Sequence, residues 1–450
     1  MTAVPGTALE VESWLAAFAR RRRQAMPEPA WVSTLRDAGI SAFTESGFPT
    51  PVDEEWRKTN VNAIARTAFS LDAPGGAPAV QASDLTGPGS APSDAHRLVL
   101  VDGVHDPALS RTSSLPHGVV LCPLDEAIAR HPSLVEPHLA RQAGIANQPF
   151  AALNTAFMAT GFFLYLPEGA QLTEPLHLIF VARTGAGGPV AYHPRHLILA
   201  GAGSRARVVE SYLSPPRSTP THAGASFTNV VTEILLEESA ALEHVKVQNE
   251  ALTAFHVAAT CVRQHRASRF TSHSFSIGAG LARNDLNVLL AQEQAECELN
   301  GLYMAGSQQH VDHHTVIDHV APNCISRELY KGVLGGRARG VFNGKVIVRP
   351  DAHGTDSLQA NRNLLLSEEA LVDTKPELQI FNNDVKCRHA ATTGQLDEIA
   401  MFYLRSRAIG VDEARSLLIH AFVSDVVRHI DEGPTRSAIE AVVGAREAAA

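Results

Sequence analysis

Residues 332–356 read GVLGGRARGVFNGKVIVRPDAHGTD. Apolar and polar residues alternate with period two, as they do along strands. Glycines interrupt the pattern every few residues, where tight turns belong. The stretch reads as strands of only a few residues, stacked through Gly-rich turns. The same texture runs upstream through LHLIFVAR (176–183), RHLILAG (195–201), ARVVESYL (206–213), VVTEILLEE (230–238), LEHVKVQN (242–249), FTSHSFSIG (270–278), DLNVLLAQ (285–292) and ECELNGLYM (296–304). Sandwich, barrel and parallel β-helix all satisfy that alternation. The short strands and recurrent turns favour the stacked β-helix. The expected architecture is mainly β, with a β-helix core over 164–394.

The flanks have a different texture. Residues 8–45 carry apolar positions at helical spacing, broken by Pro27 and Pro29. EEWRKTN (54–60) begins a short helix, and 68–95, rich in Gly, Pro, Ala, Ser and Asp, suits a surface loop. RLVLVDG (97–103) is a strand, and 123–162 is helical again. Residues 1–163 are thus expected to form an α/β-mixed N-terminal domain. Residues 395–450 are expected to form a helical C-terminal domain. There LDEIAMFYLRSRAIGVDEARSLLIHAFVSDVVRHI (396–430) reads as two amphipathic helices, with Gly410 as the C′ residue between them and Asp412 as a start signal. A weak helix follows at the tail.

Composition excludes several classes. A net charge of -9 gives no general affinity for nucleic acid or anionic membrane. The run Arg20–Arg23 follows an apolar helical pattern (Trp14, Leu15, Phe18) and reads as a solvated helix end. The five cysteines (Cys122, Cys261, Cys297, Cys324, Cys387) are odd in number, scattered and never in a CxxC arrangement, which points to a reducing compartment. The first residues lack the apolar core of a secretory signal. The most apolar run, AALNTAFMATGFFLYL (151–166), is too short to span a bilayer and holds Asn154 and Thr155. A cytoplasmic protein is expected.

Two clusters carry candidate chemistry. In DVKCRHAATTGQLDEIAMFYLRSR (384–407), Cys387 and His389 stand two residues apart. On an extended segment they face the same way, and a soft thiol beside an imidazole suits iron, copper or zinc. Two donors do not complete a site, so further ligands would come from another chain or a transient guest. The second cluster, QHVDHHTVIDHVAPNC (309–324), holds His310, Asp312, His313, His314, Asp318, His319 and Cys324. A metal-dependent enzyme would want two His and a carboxylate converging on one open position. On a strand, however, His313 and His314 point to opposite faces, and Asp312 pairs with His314. Polar ladders on the outside of a β-stack are the competing reading. No nucleophile elbow, phosphate loop or dinucleotide fingerprint appears; the glycines of GVLGGRARG lack the Lys-Ser/Thr pair that phosphate binding needs. Nothing argues for a self-contained enzyme.

The run from His310 to Gly410, with ALNTAF (152–157) and the word EEWRKTN, resembles the SufB/SufD family of iron–sulfur cluster assembly proteins. VKCRH and FYLRSR look like the D-type branch, SufD. B-type chains carry a cysteine where this chain aligns Ala370, and a Glu after the shared His, where it has Ala390. The resemblance implies a right-handed parallel β-helix and a non-catalytic scaffold subunit of the SUF system. It implies two partners: a SufB-like paralogue joined through the β-helices, and a SufC-like ABC-type ATPase bound by the C-terminal helices. There Phe402, Tyr403, Leu404, Arg405 and Arg407 would form the dock. His389 matches the family's functional His at the interface with the paralogue, with Cys387 beside it. The cargo would be a transient Fe–S cluster or iron shared across the two chains, with none held tightly by the isolated chain. ATP-driven dimerisation of the ATPase would move the helical domains and open that interface. A homodimer of the isolated chain is also compatible with an exposed β-helix face.

Overall fold

The computed structural model describes residues 5–24, 28–72, 79–85, 95–112, 115–158, 160–183, 188–215 and 225–447. Pro27 and most of the 68–95 loop lie outside them. Two ten-stranded sheets face each other, and from Arg195–Ala200 onward successive strands alternate between them. The first sheet contains Val104–His105, Arg97–Val101, Leu176–Val181, Arg205–Leu213, Ala241–Asn249, Arg269–Ser276, Glu296–Ala305, Ile325–Leu334, Thr355–Leu365 and Val385–Gly394 in that order. The second runs from Val120–Pro123 and Phe162–Leu166 through Arg195–Ala200, Ser226–Leu236, Phe255–Gln264, Leu281–Leu290, His310–His319 and Arg339–Val348 to Leu371–Ile380, with Val190–Tyr192 also paired to Ser226–Leu236. From Leu176 onward the pairing within each sheet is parallel. Ala241, Arg269, Glu296 and Ile325 stack in direct register. This is the β-helix read from the sequence, a solenoid of about seven turns.

The corners explain why the stack holds register. Gly203, Ser239, Ala267, Gln294, Asn323 and Gly354 all have φ between 51° and 70°. Each stands one or two residues before a strand of the first sheet. A non-glycine residue in that conformation costs roughly 1–3 kcal/mol. Each corner recovers part of it from its neighbour. Ser239 N donates to Arg266 O, Ala267 N to Glu293 O, Gln294 N to Pro322 O and Asn323 N to His353 O, at 2.8–3.2 Å. The corners therefore form a hydrogen-bonded ladder of their own. Only some carry the glycine that the sequence reading relied on.

The interior is filled by inward residues of both sheets, among them Leu164, Leu178, Ile198, Phe270, Leu299 and Phe342. In the later turns the rings of Tyr303, His313, Tyr330 and Phe342 stack with centroids 5.1–5.3 Å apart. Gly301 and Gly332 make room for them: a Cβ at either would overlap the Tyr330 or Tyr303 ring.

Both outer faces are covered. Helices Ala30–Ser46 and Pro149–Phe157 pack with Trp14, Trp56 and Phe227 against the second sheet. The fully buried Arg195–Glu233 pair at 2.7 Å fastens the segment before Pro149, since Glu233 also accepts from the amides of Ala140, Gln142 and Ala143. Arg20, Arg22 and Arg23 are exposed, as a solvated helix end requires, but Arg21 turns inward and donates to Phe157 O at 2.8 Å. Helices Val411–Val427 and Pro434–Glu447 cover the first sheet through Ile419, Val423, Val426, Ile430 and Val443.

One helix boundary differs from the sequence reading. Gly410 has φ -60° and serves as N-cap of Val411–Val427, not as a left-handed C′ residue. Ala408 takes that role, with φ 65°. Asp412 falls in the first turn rather than at the cap.

The ends of the stack are unlike. At the first, Val104–His105 and Val120–Pro123 pair antiparallel to their neighbours. At the last, no strand among the described residues pairs with the outer edges of Leu371–Ile380 or Val385–Gly394.

Candidate functional site at the open end

The last strand of the first sheet carries the Cys387/His389 pair. It lies in parallel register on Thr355–Leu365, with Cys387 over Ser357 and His389 over Gln359. In that supporting strand Ser357, Gln359, Asn361 and Asn363 are buried and face inward. Cys387 and His389 therefore continue inward-facing columns, on one face, as their spacing requires. No further turn covers them. Cys387 is half-buried against Val346, Val348, Leu378 and Val385. Burial, with Asp356 adding, pushes its thiol pKa up, so iron would have to displace a proton there. His389 is exposed. Beneath them, Ser326 Oγ donates to Ser357 Oγ at 2.8 Å and lies 2.9 Å from His319 Nε2. Ile380 and Phe381 are exposed at the adjacent end of the second sheet.

The His-rich strand His310–His319 proves to be a clasp. His313 faces the interior and packs between Tyr303 and Tyr330, while Asp312 and His314 face outward. There the EEWRKTN word crosses the sheet as a strap. Its Glu54–Trp56 turn is 3₁₀-helical, and Trp56 is buried. The Arg283 guanidinium lies 3.7 Å from the Trp56 ring centroid and pairs with Asp285 and Asp312, both at 2.9 Å. The ring nitrogens of His314 lie 3.1 Å from Glu55 and from Asp312, and Thr59 Oγ1 donates to Asp312 at 2.5 Å. Lys58 reaches Asp373 and Glu54 reaches Lys375 on the edge strand, at 2.7 and 2.9 Å. Burial opposes charge on His314, but Asp312 and Glu55 more than offset it and hold the imidazole at about 9. Both ring nitrogens are engaged by carboxylates, which leaves no open ligand set. Among the described residues no group of three or more His, Cys, Asp or Glu is placed to hold a metal ion.

The proposed docking helix, Glu398–Ser406, is capped by Asp397, which accepts from Ile399 N and Ala400 N at 2.8 and 3.3 Å. It buries no residue. Ile399, Phe402 and Tyr403 are 80%, 74% and 54% exposed. Leu404 is half-buried, Arg405 and Arg407 are exposed, and the Arg407 guanidinium sits over the Tyr403 ring at 4.6 Å. The helix thus presents three exposed large apolar side chains, Ile399, Phe402 and Tyr403, to solvent.

The residues of the strap's contacts were not legible locally. Glu55, Trp56, Thr59, Arg283, Lys345 and Lys375 meet across more than two hundred residues of chain. Ser226–Leu236 is buried along its whole length, so neither side of that sheet meets water there, a covering that its polar residues Thr228, Asn229, Thr232 and Glu233 do not announce in the sequence.

One end of the solenoid is unfinished among the described residues, its last rung carries Cys387 and His389, and an unburied helix follows that rung. Residues 181–422 match the SufBD core domain of SUF-system FeS cluster assembly, and residues 12–178 match the SufBD protein N-terminal region. An iron–sulfur cluster assembly SufBD family protein of Synechocystis is 31% identical over 90% of this chain and 91% of its own length. SufD of Escherichia coli is 28% identical over 99% of each. A SufBD family protein of Mycobacterium tuberculosis is 29% identical over 66% of this chain and 73% of its own. The chain belongs to the SufBD family of iron–sulfur cluster assembly proteins. Among the described residues no helix is long and apolar enough to cross a membrane.

Proposed function

We propose that the chain is the D-type, non-catalytic subunit of a SUF complex, building nascent Fe–S clusters with a SufB-like paralogue and a SufC-like ATPase. One observation carries the reading: among the described residues both sheets end in unpaired edges at the rung where Cys387 and His389 face inward. A paralogue joining edge to edge would bring its own donors to that rung and complete a ligand set shared across two chains. The cargo, iron or a nascent cluster, would be held only in the assembled complex. The exposed face of Phe402, Tyr403, Arg405 and Arg407 supports docking of the ATPase at Glu398–Ser406.

The covering helices give that ATPase a path to the edge. Lys331 Nζ donates to Phe422 O at 2.6 Å and pairs with Asp425, tying Val411–Val427 to Ile325–Leu334. That strand lies two positions from the Val385–Gly394 edge. A pull on the helices thus reaches the edge through one sheet, as a rigid-body movement.

The test is cluster formation by the reconstituted three-protein complex carrying His389→Ala. A loss of at least ~10-fold at unchanged complex yield is expected. Full cluster formation at that yield would overturn the assignment of His389.

A further inference from the structure

One inward column beneath the open end contains a buried acid and a buried amide. Glu328, on Ile325–Leu334, lies directly under Gln359 in register, and Gln359 lies directly under His389. Gln359 is fully buried, and its Nε2 donates to Glu328 Oε2 at 2.7 Å. The amide crosses the interior through space left by Gly344 on the facing sheet, where a Cβ would collide with Gln359 Nε2. Its other atom, Oε1, is buried and has no hydrogen-bond partner among the described residues. Buried acceptors are satisfied in the great majority of cases, and an orphan asks for an explanation. The register neighbour on its open side is His389, whose strand lies one backbone spacing, about 4.8 Å, further along the sheet. A metal-ligating imidazole donates its second N–H to a carbonyl or carboxylate, which fixes the tautomer and the ring plane.

We propose that Gln359, held by Glu328, is a positioning residue for His389: its free amide oxygen takes one imidazole N–H and leaves the other nitrogen bare toward the partner chain. The inference rests on His389 being a shared ligand. Glu328 suits the supporting role because burial raises its carboxyl to about 7, offset in part by nearby Thr315 and by the hydrogen bond from Gln359. An acid in that range serves by its hydrogen bond, and a Gln in its place keeps an acceptor. Tyr330 and Cys297 face it from the same sheet, and neither brings a compensating positive charge.

The experiment measures Co²⁺ affinity of the complex assembled from this chain, the SufB-like paralogue and the ATPase. Gln359→Met should weaken binding by about 10–100-fold, and Glu328→Met should do likewise. Glu328→Gln should stay within about threefold of the parent, since the acceptor survives. In a His389→Ala background, Gln359→Met should add nothing, because its effect passes through the ring. A merely structural amide would instead weaken binding equally in both backgrounds, and that result overturns the proposal. Unchanged affinity in Gln359→Met, with loss in His389→Ala, overturns it too and leaves the parent reading standing. Unchanged affinity in His389→Ala removes the parent reading itself. Should Gln359→Met fail to assemble, Glu328→Met carries the same prediction with the amide in place.

Discussion

Replacing Asp312 by Asn keeps the shape of the clasp and removes its central charge. Asp312 is fully buried and sits against Arg283, Thr59 and His314. In the variant, Arg283 retains only Asp285 and His314 only Glu55 as carboxylate partners. Removing one partner from a buried ion cluster costs about 3–5 kcal/mol, because the opposite charges stay buried. His314 gives a second measure. Its shift from 6.5 to about 9 corresponds to about 3 kcal/mol favouring the imidazolium in the folded state. A raised pKa means this contribution is full below ~6.5 and is lost as pH rises through about 9. Glu55 behaves oppositely: its hydrogen bond to His314 outweighs burial and holds it at about 2, so its contribution is present above ~4.5 and lost on acidification toward about 2. The clasp is therefore complete between about pH 4.5 and 6.5. The assay is hydrogen exchange of residues 54–60 together with urea unfolding followed by tryptophan fluorescence, at pH 6 and pH 9. At pH 6 the variant should lose about 3–5 kcal/mol, and strap amides should exchange at least ~100-fold faster. The parent should lose protection at pH 9 after correction for base catalysis. A variant within ~0.5 kcal/mol of the parent at pH 6, with unchanged exchange at 54–60, would refute the reasoning.

Acid should unfold the protein early. Burial holds His193 and His313 at about 3 and His196, His273 and His319 at about 4, whereas the unfolded chain protonates near 6.5. Their contribution is present above ~6.5 and lost as pH falls below it, so far-UV circular dichroism should show cooperative unfolding near pH 5 with uptake of several protons. A native signal at pH 3 would contradict this. Gly301→Ala should destabilise by about 1–3 kcal/mol through the clash with Tyr330, outweighing the roughly 0.5–1 kcal/mol usually gained on replacing a strand glycine. A cycle with Tyr330→Leu should recover most of the loss, and strict additivity would count against the packing argument. Phe402→Ala with Tyr403→Ala should leave stability within ~0.5 kcal/mol, since the helix buries nothing, while abolishing co-purification of the ATPase; retained co-purification would place the dock elsewhere.

The sequence revealed what depends on local alternation. Period two sufficed for a stack of strands, and the i, i+2 spacing placed Cys387 and His389 on one face. The expected strands of a few residues, however, prove to be 10 or 11 long. Gly332, Gly340 and Gly344 lie inside them, where they make room for interior side chains, rather than at turns. The same reasoning separated His313 from His314 and joined Asp312 to His314. Contacts between distant segments left no such trace. Glu55 meets His314, and Lys331 meets Asp425, through a fold that only the assembled solenoid creates. The corner residues illustrate a subtler loss. Ser239, Ala267 and Gln294 adopt the left-handed conformation because the next corner supplies a carbonyl for each N–H, so composition does not announce them. The Gly410 assignment failed because the left-handed residue between the helices is Ala408, whose N–H donates to Arg405 O at 3.1 Å.

The unlike ends of the stack limit how far it can grow. Two exposed edges on opposite ends of a strand array would let each molecule recruit the next without limit, which is how β-rich chains become fibres. Here the short antiparallel pieces Val104–His105 and Val120–Pro123 finish one end, and among the described residues the long bare edges are those of Leu371–Ile380 and Val385–Gly394. A block with one long bare end has a valency of one for edge-to-edge joining: a single neighbour fills it, and the stack goes no further in that direction.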